Sequence, residues 1–143
     1  MKLSLGVIEI PYDNTGKTTG DVAEILETKY HVMGVFGFLH LDDIARDLED
    51  GAAANLENML MGAPVSADPY AGAMSKIEQR FRDFLSLGEM NKFGFAGIPT
   101  AAALAGVNHR LAHPYAKANP SRPSFVDTGL YESSFKAWIA DNQ

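Results

Sequence analysis

The sequence predicts an α+β fold in which three main amphipathic helices pack on a small β-sheet, with a long irregular segment before the C-terminus. Three observations carry this. Lys2 to Ile10 alternates apolar and small residues until Pro11, three stretches between Val22 and Leu85 repeat apolar residues at helical spacing, and Phe135 to Ala140 is a second short strand candidate. Helices with one apolar stripe and a sheet with one apolar face bury both by packing together.

In the first strand Leu3, Leu5 and Val7 alternate with Ser4 and Gly6, and Pro11, lacking an N–H, stops the ladder. Asp13-Asn14-Thr15-Gly16 is turn chemistry. A first helix follows on Val22, Ile25, Leu26, Tyr30 and Met33, with Thr18 or Thr19 as its cap, and the glycines at 34 and 37 are expected to interrupt it through His40. A second runs from Leu41 to Met61 on Leu41, Ile44, Leu48, Ala52, Leu56, Met59 and Leu60, and Gly62 ends it. Asp68 as N-cap and Pro69 in the first turn open a third, whose face is Ala73, Met74, Ile77, Phe81, Phe84 and Leu85 before Gly88.

The segment from Gly94 to Pro123 is rich in Pro, Gly, Ala and Asn. It lies within a single domain, residues 1–143, and is expected to form an extended arm or loop over 94–123 used in subunit contacts, because it is too long and too apolar to be only a solvated connection. After it, Asp127 or Thr128 is expected to cap a short helical turn carrying Leu130, Tyr131 and Ser134.

Composition narrows the function. A chain of 143 residues with 46 % hydrophobic and 21 % charged residues has the make-up of a folded domain. The absence of cysteine excludes a disulfide framework, a thiolate zinc site and a cysteine nucleophile. Apolar runs such as Met33 to Leu39 fall well short of a membrane span, so a soluble protein, intracellular where it is made, is expected, with no membrane partner. The net charge of −6 argues against wholesale nucleic-acid binding. Residues 1–90 hold fifteen acids against seven Lys or Arg, whereas 91–143 hold three against five.

Four constellations bear on chemistry. Gly16-Lys17-Thr18 follows a strand as in a phosphate-binding loop, but that pattern requires glycine at position 11, where this chain has Pro11. His109, Arg110 and His113 place two imidazoles four residues apart without a third ligand, so no metal and no cofactor is expected. The run Asp42, Asp43, Asp47, Glu49 and Asp50 reads as a solvated helix face. The aromatic set Phe81, Phe84, Phe93, Phe95, Phe125, Tyr131, Phe135 and Trp138 reads as core. No Ser-His-Asp or Gly-x-Ser-x-Gly arrangement is present.

The remaining stretch, Asn119 to Phe135, begins extended because each proline pushes its predecessor out of the helical region. Its residues Arg122, Pro123, Asp127, Thr128, Gly129, Leu130 and Ser134, preceded by Gly97 to Leu111, resemble the virion-morphogenesis and tail-completion proteins of tailed bacteriophages. In that family an arginine- and proline-bearing stretch runs into an Asp-Thr-Gly-Leu turn near the C-terminus. The resemblance implies a structural virion protein without catalytic residues. It would be a homo-oligomeric ring subunit at the head-to-tail junction or upper tail (tail completion, tail terminator or neck), meeting neighbouring phage connector and tail proteins and allowing DNA to pass without sequence-specific binding.

An acidic half and a basic half in one chain suit heterologous contacts, which close into rings when the rotation permits. Arg122, and beside it Pro123, would then meet Asp42, Asp43 and Asp47 of an adjacent subunit. Two other classes stand beside this reading. One is a small metal- or anion-binding enzyme using the His109, Arg110 and His113 loop with a carboxylate such as Asp127. The other is an adaptor domain that binds a host protein through its acidic helix.

Overall fold

In the computed structural model, which describes residues 1–13, 15–106, 120–126 and 129–140, the two ends of the chain meet in one sheet. β1 (Lys2–Val7) pairs antiparallel with β2 (Phe135–Ala140), with Lys2 opposite Ala140 and Val7 opposite Phe135. Helices α1 (Thr19–Tyr30), α2 (Val32–Leu39), α3 (Leu41–Met61) and α4 (Ala71–Ser86), a 3₁₀ turn at Glu89–Lys92, and two short helices, α5 (Ala101–Ala105) and α6 (Leu130–Ser134), lie between them. The fold is α+β, as the sequence predicts.

The first strand stops three residues earlier than expected, for a visible reason. Ile8 N–H donates to Ser134 O at 2.7 Å, after which the fully buried Thr19 hydroxyl donates to Ile8 O and accepts from Ile10 N–H. The chain is thereby turned out of the ladder and into α1. Both candidate threonines are used, since Thr18 forms a capping box with Asp21 while Thr19 ties the helix to the strand.

The glycine-bearing stretch is helical, contrary to expectation. His31, at φ 53°, ends α1 and α2 restarts at once, its free N–H groups at Met33 and Gly34 donating to the Glu27 carboxylate at 2.8 and 3.0 Å. Gly34 and Gly37 each weaken a helix by about 1 kcal/mol. Burying Val32 and Phe36 completely gains about 1.5 to 3 kcal/mol apiece, so packing wins. α4 also begins later than expected, because the Asp68 carboxylate accepts from Tyr70 N–H and forms a turn ahead of the helix in place of an N-cap.

The core forms where α4 crosses β2. Phe81 stacks on Phe135 with centroids 3.8 Å apart, and Phe36 meets Phe81 edge-on at 5.1 Å. Buried Glu78 accepts from Ala137 N–H at 3.2 Å and pairs with Lys136 at 3.3 Å, which pins the helix to the strand. Of the aromatic set, Phe81, Phe84, Tyr131 and Phe135 are buried and Phe125 is half-buried, but Phe93, Phe95 and Trp138 are exposed.

The described parts of the expected arm fold back onto this domain. Ile98 and Ala103 are buried, Thr100 caps α5, Arg122 N–H donates to Ala103 O at 2.9 Å, and Thr100 N–H donates to Ser124 Oγ at 3.1 Å. The N-cap of α6 is Gly129, at φ 79°, one residue beyond Thr128.

Candidate functional site

The acidic helix face is less solvated than its sequence suggests. Asp42 is exposed, but Asp47 is buried against Arg80 Nη2 at 2.7 Å with Lys76 at 3.7 Å, and Asp43 lies 3.7 Å from both Arg80 and Arg46. His40 extends this set, with Nε2 3.0 Å from Glu89 and Nδ1 3.8 Å from Asp43. These charges join α3 to α4 within one chain, so buried Asp47 is engaged by Arg80 and is not an open acceptor for Arg122 of a neighbour, whereas Asp42 and Asp43 keep exposed side chains.

Beyond them α3 loses its cover. Ala52, Leu56, Met59 and Leu60, expected to face the core, are all exposed, Leu60 by 81 %. They make an apolar face at i+3 and i+4 spacing that no described residue buries, and Met61 and Val65 nearby in the chain are exposed as well.

Arg122 is likewise turned inward. Its Nη1 donates to Val126 O at 2.6 Å and to its neighbour Pro123 O at 3.3 Å, and the half-buried side chain borders a cleft of about 420 Å³. One wall of the cleft is α1, with Leu26, Lys29 and Tyr30; the other is built from Ala101, Phe125 and Tyr131. Tyr30 and Phe125 touch with centroids 5.0 Å apart, and Phe125 holds φ at 70°, a left-handed conformation rare for a bulky residue. Tyr131 is 4 % exposed, and its hydroxyl has no hydrogen-bond partner among the described residues. Burial, with the Glu27 carboxylate and Tyr12 nearby, pushes that hydroxyl far above the usual tyrosine range, so it is a neutral donor at physiological pH.

Of the residues singled out from sequence, His109, Arg110, His113, Asp127 and Thr128 lie outside the described residues. Among the described residues no three His, Asp or Glu side chains are grouped as metal ligands, and no helix is long and apolar enough to cross a membrane. Sequence reasoning missed the cleft, because its lining comes from four separated parts of the chain and Tyr131 reads as core.

Comparison with protein-family models, curated proteins and solved structures returns no significant match.

Proposed function

We propose that this chain is a structural virion protein of a tailed bacteriophage, a ring-forming subunit at the head-to-tail junction or upper tail. The observation that supports it most is the bare apolar end of α3. A helix that is amphipathic throughout but covered over only its first half is suited to burial against another subunit, and monomeric proteins seldom leave a contiguous apolar patch of this kind in water. A patch on one helix meeting a different surface of the next copy is a heterologous contact, the kind that closes into rings. The resemblance of Arg122, Pro123, Asp127 to Leu130 and Ser134 to phage tail-completion proteins supports the same reading.

Light scattering on the eluting protein across a range of concentrations tests the reading. A discrete oligomer is expected, dissociating to monomer when Leu56→Asp and Leu60→Asp are combined, with the melting of the monomer unchanged because both positions are exposed. A wild-type chain that remains monomeric at every concentration and fails to associate with phage tail or connector assemblies would refute it.

A further inference from the structure

We propose that the open edge of β1 pairs with β1 of a second copy of this chain, joining two two-stranded sheets into one of four strands. The contact uses none of the α3 face, so it stands or falls apart from the ring reading. The register shows which backbone groups are open. Ile8 N–H reaches across to Ser134 O, whereas Ala137 N–H points the other way, to Glu78. Backbone groups alternate along a strand, so Lys2, Ser4 and Gly6 bond toward β2, and Leu3, Leu5 and Val7 direct theirs away from it. On that side none of the three meets a hydrogen-bond partner among the described residues. Their side chains pack against the core yet stay half-buried, although Phe135 and Ala137 opposite them on β2 are buried. β1 therefore lacks a neighbour both for its backbone and for its apolar face.

β2 is closed where β1 is open. Of its outward donors, Phe135 N–H bonds Glu132 O, and Ala137 N–H is taken by the buried Glu78 carboxylate, which also holds Lys136. A carboxylate set into an edge turns further strands away, which leaves β1 as the edge to join. The sequence of β1 then suits its own copy. Paired antiparallel about Leu5, Leu3 meets the partner's Val7, Leu5 meets the partner's Leu5, and Ser4 meets the partner's Gly6, so apolar residues oppose apolar ones on the core side and small ones oppose each other on the outer side. At each end Lys2 stands opposite the partner's Ile8 and one residue from the partner's exposed Glu9, so opposite charges are brought together and no like charges are opposed. Because Glu78 caps β2 in both copies, the sheet stops at four strands and does not grow into a fibre. A stable interface takes roughly 20 to 30 residues a side, so one strand a side pairs free chains weakly and at high concentration.

The test uses the full chain carrying Leu56→Asp and Leu60→Asp, so that failure of the α3 contact and failure of this one are separate results. Amide exchange of the ¹⁵N-labelled chain is followed by nuclear magnetic resonance from about 20 µM to about 1 mM. Exchange at Leu3, Leu5 and Val7 should slow about five-fold over this range, while Ser4 and Gly6, already bonded to β2, stay equally protected throughout. The Trp138 indole signal should shift with them, because a Cβ on Gly6 would stand 2.8 Å from that ring, which therefore lies over the joining strand. A peptide copy of β1, acetyl-Lys-Leu-Ser-Leu-Gly-Val-amide, should shift the same amides of the dilute chain. Methylating the peptide at its Leu5 nitrogen should weaken binding about ten-fold, whereas methylating its Ser4 nitrogen, which points away from the chain, should leave it unchanged. Exchange at Leu3 and Leu5 that is independent of concentration, or equal binding of the two methylated peptides, overturns the proposal. Binding of the peptide without self-association of the chain overturns it too, and assigns the edge to a strand of another protein.

Discussion

At the scale of single residues, Tyr131 and Arg122 show how burial decides what a side chain can do. The Tyr131 hydroxyl ionises less readily in the folded protein than in the unfolded chain, because burial is the largest influence on it and Glu27 adds to it. Below the ordinary tyrosine range both states hold the proton and pH has no effect. Above about pH 10 the unfolded chain releases its proton while the folded one keeps it, so stability falls by about 1.4 kcal/mol per pH unit on this account. Urea melts between pH 9 and about pH 11 should show a shallower decline in Tyr131→Phe than in the wild type, and parallel declines would mean that the hydroxyl is not buried as described. Arg122 belongs to the same scale. With Nη1 bonded to Val126 O, Arg122→Glu should lower monomer stability by about 2 kcal/mol, since a charge-assisted bond is replaced by a carboxylate facing a carbonyl. A reversed variant that melts like the wild type yet fails to assemble would restore the intersubunit role that an exposed arginine suggests.

At the scale of elements, α3 and α4 are held apart by a close approach that sequence alone reads the wrong way. Gly51 lies inside α3, where replacing glycine by alanine ordinarily stabilises by about 1 kcal/mol. A Cβ at this position would stand 2.7 Å from the backbone oxygen of Pro69, which no rotamer change can relieve. The overlap outweighs the propensity gain, and Gly51→Ala is expected to destabilise by about 1 to 2 kcal/mol in chemical denaturation. A more stable Gly51→Ala protein would show that the turn before α4 yields freely. The elements read well from sequence share a feature: their signals are local. The bounds of α3 follow from its periodicity and Gly62, and β2 follows from the short run after Ser134. α2 was hidden because its glycines carry a propensity penalty that only tertiary burial of Val32 and Phe36 reveals. The cleft was hidden for the same reason in stronger form, since Tyr30 and Tyr131 become a pair of walls only after α1 and α6 are placed side by side.

At the scale of the whole molecule, the distribution of cover sets where the chain should be dynamic and where it should bind. The charged network of Asp47, Arg80 and Lys76 and the Phe81–Phe135 stack fasten the first half of α3, α4 and the sheet to one another. From Ala52 to Met61, by contrast, α3 has no buried residue, so its backbone hydrogen bonds are protected by helix formation alone. An isolated helical end of this length is marginal in water, and local opening there needs far less free energy than global unfolding. Hydrogen exchange read by mass spectrometry should therefore show fast exchange for peptides covering residues 52–61 and slow exchange for those covering α4 in the dilute monomer. If the apolar face of Leu56, Met59 and Leu60 is the surface on which subunits meet, exchange over that segment should slow by at least about ten-fold as concentration drives assembly, because each opening must then break the contact as well. Assembly that leaves this segment as fast as in the monomer, while protecting another surface, would move the interface away from α3 even if the protein forms rings.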